Sequence, residues 1–168
     1  GIKPVCIDYR ETAPSVMNEY SFTREDTTFS RKAGGVPGTV RGLALAHQRY
    51  GKLPWSDLVM PAARLAATGV TVTEPLALSL NSVVTDEAVL QDERFDELRR
   101  VYGKPDGEPW REGDRMLLPD LANTLTSIAN EGPDAFYRGR IAELRVAEMK
   151  RGNGVISMED LANYEAKV

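Results

Sequence analysis

The chain has little of what metal and redox chemistry usually needs. Its 168 residues include one cysteine, Cys6, and one histidine, His47. A single thiol excludes an internal disulfide and a cysteine metal cluster. One histidine without a cysteine pair supplies no donor set for a transition metal. No apolar run reaches the ~20 residues of a membrane-spanning helix. Basic residues are not clustered: 21 Lys and Arg are scattered among 25 Asp and Glu, so no electrostatic footprint for nucleic acid or anionic lipid is present. What is there, 42% hydrophobic and 27% charged residues, is the composition of a soluble globular protein. The length suits one ordinary domain with a single core. Cys6 lies in the apolar run Val5-Cys6-Ile7 and is expected to be a small buried hydrophobe.

Along the chain, Val5-Cys6-Ile7 followed by polar Asp8 to Thr12 reads as a buried strand whose C-terminal end reaches a surface or cleft. Pro14 stops it. Residues 18–32 are polar and aperiodic and read as a loop. Ala33-Gly34-Gly35-Val36-Pro37-Gly38-Thr39 is a glycine-rich entry to a helix with Thr39 as its N-cap. Val40, Leu43, Ala44 and His47 form one face of that helix, and Gly51 closes it.

Pro54 and Pro61 are expected to punctuate two short helices, the second beginning at Pro61 and ending at Gly69. Val70-Thr71-Val72-Thr73 is long enough only for a bridge. Residues 74–84 read as a helix, 86–102 as short exposed helices, and 103–113 as a loop. Leu118-Pro119-Asp120 starts a helix with Leu121, Leu125, Ile128 and Ala129 on one face, and Gly132-Pro133 ends it. Residues 139–150 form another, burying Ala142, Val146 and Met149. Ser157 and Asp160 have the spacing of a capping box, with Asp in place of the usual Glu. Trp55, Trp110, Phe136 and Tyr137 read as packing aromatics.

The glycines before the first helix have neither the G-x-G-x-x-G spacing nor a P-loop lysine. They are read as allowing a tight turn and close backbone packing, and no cofactor is expected. His47 on an apolar face reads as a satisfied, partly buried side chain. A lone strand at one end leaves backbone groups without a partner. Both ends therefore read as cuts through a larger fold.

Several spaced motifs carry a family resemblance in order. Ile7-Asp8-Tyr9-Arg10-Glu11-Thr12-Ala13-Pro14 resembles the Arg-Glu-Thr-Ala-Pro strand end of the gamma-glutamyltransferase large subunit. Gly35-Val36-Pro37-Gly38-Thr39-Val40, Ala46 to Trp55, and Pro61 to Ala66 with Gly69 resemble the landmarks that follow it. Gly132 to Gly139 and Ile156 to Tyr164 resemble the last two. The least similar part is 82–112, where loop variation costs little.

The resemblance implies a helix-rich α+β piece of an N-terminal-nucleophile hydrolase αββα sandwich, with residues 1–168 as part of the large subunit. It implies a precursor that cleaves itself, and a partner small subunit whose N-terminal threonine attacks gamma-glutamyl amides such as glutathione. It implies a periplasmic, secreted or cell-surface location. No segment here resembles the small-subunit start, and Gly1 is not an N-terminal nucleophile, so no catalytic residue is expected in this chain. Arg10 is implied as the residue that binds the alpha-carboxylate of the glutamyl group, with Glu11 as its support. Read from the residues alone, Arg10 is also consistent with a simple surface pair to Asp8 or Glu11. Two alternatives stand beside the transferase: a related cephalosporin or glutaryl acylase, and a non-catalytic helical interaction fragment. The gene downstream of Val168 separates the enzyme from the latter.

Overall fold

The structure is a computed structural model and describes residues 4–24, 26 and 30–168. Gly1 and positions 25 and 27–29 of the polar loop lie outside the described residues. The elements in order are α1 (Thr39–Tyr50), α2 (Trp55–Thr68), β1 (Val70–Thr71), α3 (Glu74–Val84), α4 (Glu87–Leu90) and α5 (Asp96–Tyr102). They continue with β2 (Arg115–Met116), α6 (Pro119–Glu131), α7 (Asp134–Tyr137), α8 (Gly139–Arg151) and α9 (Met158–Ala162). Short 3-10 turns occupy Arg31–Ala33 and Glu93–Phe95. The helix-rich α+β character expected from the sequence is present.

The length suggests one core, but the chain forms two compact units, each with its own. One comprises residues up to Met60 together with Thr124–Val168; the other is Pro61–Asn123. In the first, Val36, Tyr137 and Leu161 are fully buried, joined by Ala142 and Val146 of α8, Ile156 and Tyr164. The i, i+4 spacing of Ala142 and Val146 puts both on the inner face of α8, as their periodicity predicts. In the second, Val72, Ala77, Val84, Trp110 and Met116 form the core. There β1 pairs antiparallel with β2, Val70 opposite Met116. Asn81 holds Trp110 by both backbone groups: Asn81 Nδ2 donates to its carbonyl at 2.9 Å and Asn81 Oδ1 accepts its N–H at 2.8 Å.

Several local expectations are corrected. Pro54 and Pro61 do not bound two helices, because α2 runs unbroken through Pro61. The proline leaves the Asp57 carbonyl without its intrahelical donor, and the helix continues because Ala63 and Ala66 beyond it are buried. On α1 the expected apolar face is only partly inside: Leu43 is 51% exposed and Gly42 is the buried position. On α6, Leu121 is likewise exposed while Ala122, Ile128 and Ala129 are buried. On α1 the inward position is a glycine because the Tyr9 ring lies too close for any side chain: a Cβ on Gly42 would sit 2.2 Å from it.

The N-cap of α1 is Gly38, one residue before the expected Thr39. Gly38 lacks a side chain for a spatial reason: a Cβ there would lie 1.9 Å from the Tyr164 hydroxyl and 2.2 Å from the Tyr9 carbonyl. The capping box at α9 forms as expected. Ser157 Oγ accepts the Asp160 N–H at 3.0 Å, and Asp160 Oδ2 accepts the Ser157 N–H at 2.9 Å.

Candidate functional site

Residues 8–12 run extended across the first unit and meet two stretches of chain distant in sequence. Asp8 and Lys167 exchange two backbone hydrogen bonds of 2.8 Å, and Thr12 and Val36 exchange two of 2.8 and 3.2 Å. The segment that read as a partnerless strand forms no regular strand here, only two isolated bridges, one near the opposite end of the chain and one to the glycine-rich entry to α1. Pairing starts only at Asp8. Val5 and Cys6 lie before it and are exposed, which corrects the expectation of a buried strand and a buried thiol.

Arg10 sits midway between the two bridges. Its N–H donates to Asp8 Oδ1 at 3.1 Å, and its carbonyl accepts from the Tyr164 hydroxyl at 2.7 Å. The backbone is therefore fully satisfied, while the side chain is 83% exposed and, among the described residues, reaches only Glu11 Oε1, at 3.3 Å. That exposed pair is worth about 0–1 kcal/mol, so an incoming carboxylate displaces it at small cost. The Glu11 carboxyl is held below the usual range by its own backbone N–H and by Arg10, so it stays charged beside the guanidinium. Cys6, Asp8, Tyr9, Arg10 and Thr39 border an open concavity of about 640 Å³.

The glycine-rich entry to α1 makes this arrangement possible. A Cβ on Gly35 would sit 2.7 Å from Glu11 Cγ, and one on Gly42 would sit 2.2 Å from the Tyr9 ring. The expectation of close backbone packing is met at these positions. His47 is also where its pattern placed it: its ring nitrogen bonds the Leu53 carbonyl at 2.8 Å and the ring lies against Trp55. A second concavity of about 690 Å³ opens by Arg41, His47, Trp55 and Arg138. Its cations are engaged, Arg41 with Asp134 at 2.7 Å and Arg138 with the Ala162 carbonyl at 3.3 Å. The Arg10 pair is the looser one, at 3.3 Å against 2.7 Å for Arg41 and Asp134, which leaves the Arg10 concavity the better candidate for a carboxylate. Among the described residues no three His, Cys, Asp or Glu side chains converge as metal ligands, and no helix is long and apolar enough to cross a membrane.

Sequence reasoning reads Asp160 only as the partner of Ser157 in the capping box and Tyr164 only as part of a family landmark; the structure gives each a further contact. Asp160 Oδ1 reaches outside its own helix and accepts the Ser15 N–H at 2.8 Å. Burial opposes its ionisation, but hydrogen bonds from Ser15 and Ser157 outweigh it and bring the pKa to about 2. A depressed native pKa stabilises the fold above the unfolded value, near 3.8, and that contribution is lost as pH falls through about 2. We expect Asp160→Asn to lower stability by about 1–2 kcal/mol at neutral pH. The difference in thermal midpoint from wild type should hold above pH ~4 and shrink toward pH ~2. A difference that is constant with pH removes the carboxylate from this role.

The fold is shared with proteins of known structure. A cephalosporin acylase from Bacillus halodurans superimposes with TM-score 0.80 at 25% identity, over 96% of this chain and 31% of that one. A gamma-glutamyltranspeptidase from Helicobacter pylori superimposes with TM-score 0.83 at 32% identity, over 96% of this chain and 47% of that one. The fold is thus that of the N-terminal-nucleophile hydrolases to which both neighbours belong. Within that class the gamma-glutamyltranspeptidase family profile matches residues 2–168, and the chain belongs to this family. A glutathione hydrolase proenzyme of Pseudomonas aeruginosa is 36% identical over 98% of this chain. The chain spans about 29% of that relative's length.

Proposed function

We propose that this chain forms the donor-binding side of a gamma-glutamyltransferase, which cleaves gamma-glutamyl amides such as glutathione and passes the glutamyl group to water or an amino acid. Arg10 takes the alpha-carboxylate of the donor through its planar, bidentate fork, and Glu11 orients the guanidinium until substrate arrives. The nucleophilic threonine belongs to the small subunit of the same precursor. Its hydroxyl attacks the gamma-carbonyl, the amine leaves, and water or an acceptor amine then releases the acyl group. The observation that carries this reading is the exposed Arg10 guanidinium on a backbone pinned on both sides, facing an open concavity. A charge held on a rigid stretch sets the distance from donor carboxylate to nucleophile.

The test is release of p-nitroaniline from gamma-glutamyl-p-nitroanilide by the full-length, self-cleaved precursor, with the 168-residue chain alone in parallel. Turnover by the precursor and none by the chain alone is the expected result. A mature precursor inert on this donor, but active on a glutaryl or cephalosporin amide, overturns the reading in favour of the acylase.

A further inference from the structure

Arg10 lies between two isolated backbone bridges. Asp8 and Thr12 on either side are tied by backbone pairs, yet the Arg10 carbonyl is bonded by a side chain, the Tyr164 hydroxyl, 154 positions away in sequence at 2.7 Å. Tyr164 is itself tightly placed. It is buried, its ring lies nearly parallel to that of Tyr137 (9° between planes, centroids 6.0 Å apart), and its hydroxyl occupies the space that a Cβ on Gly38 would fill. Tyr137 in turn donates to the Pro37 carbonyl at 2.9 Å and accepts the Arg41 N–H at 3.2 Å. A chain of contacts therefore runs from α7 through Tyr164 to the Arg10 peptide, whose guanidinium borders the concavity.

We infer that Tyr164 is a positioning residue for donor binding: its hydroxyl fixes the Arg10 peptide and so sets where the guanidinium meets the donor carboxylate. This rests on the assignment of Arg10 to the donor site. Without the hydroxyl the Arg10 carbonyl loses this fixed partner, and the segment between the two bridges gains freedom. That freedom must be lost again when the carboxylate docks, so the effect falls on KM and spares the chemical step.

The experiment uses the full precursor and a double-mutant cycle. Y164F deletes one oxygen and keeps the stacked ring. It should self-cleave, raise KM for gamma-glutamyl-p-nitroanilide about threefold to tenfold, the range for one net hydrogen bond, and leave kcat within about twofold. In an R10A background the same substitution should add nothing, because the cation it places is gone. If Y164F fails to mature, Y164M fills the slot with an unbranched apolar side chain and is read the same way. An unchanged KM, a fall confined to kcat, or an equal loss with and without Arg10 overturns the inference. If R10A itself leaves donor kinetics unchanged, it is the donor-site assignment that fails.

Discussion

Replacing Arg10 with alanine in the full-length precursor should raise KM for a gamma-glutamyl donor by roughly 30- to 150-fold while self-cleavage proceeds. Truncating one partner of a hydrogen-bonded charge pair that is buried once substrate binds costs on the order of 2–5 kcal/mol. The lower half of that range applies because the Arg10 side chain is largely exposed and its local partner, Glu11, is a weak one. About 2–3 kcal/mol corresponds to that span in affinity. Self-cleavage should survive because the Arg10 backbone contacts, to Asp8 and Tyr164, do not depend on its side chain. Arg10→Lys should recover little, since an ammonium is a point charge and cannot reproduce a two-pronged carboxylate bond. Steady-state kinetics on both variants decide the matter: unchanged donor KM in each removes Arg10 from the site.

The largest expected effect on stability is at Tyr137. It has no exposed surface, packs edge-on against Phe136 at 5.0 Å, stacks on Tyr164, and lies under the Arg41 guanidinium at 4.5 Å. Tyr137→Ala empties this volume and strips partners from the Pro37 carbonyl and the Arg41 N–H. A cost of about 3–5 kcal/mol is expected from the cavity, enough to threaten folding of the first unit given the usual margin of 5–15 kcal/mol. Tyr137→Phe keeps the ring and loses only the hydroxyl contacts, for about 1 kcal/mol. Urea midpoints of the precursor variants measure the gap. Equal losses in Tyr137→Ala and Tyr137→Phe would show that the ring packing contributes little.

How far the sequence reaches depends on the range of the interaction. The capping box at Ser157 and Asp160 involves residues three apart, and it forms as its spacing indicates. The inward face of α8 follows from its periodicity, and His47 is satisfied six residues away, by the Leu53 carbonyl. Continuity of α2 through Pro61 was not legible, because local propensity argues for a break and tertiary burial of Ala63 and Ala66 overrides it. Nor was the exposure of Leu43 and Leu121: apolar periodicity marks candidate faces, but how closely the neighbouring chain approaches decides which residue is admitted.

The site divides the same way. Sequence by itself determined the Ser157–Asp160 capping box, the inward face of α8 and, through ordered motifs, the family and the candidacy of Arg10. Only the tertiary structure decided what holds Arg10 in place. The Asp8 pairing with Lys167, the Thr12 pairing with Val36 and the Tyr164 hydroxyl on the Arg10 carbonyl join residues 24 to 159 positions apart. No local pattern encodes such contacts. They exist because folding closes those loops and brings the backbone groups of distant segments within hydrogen-bond reach.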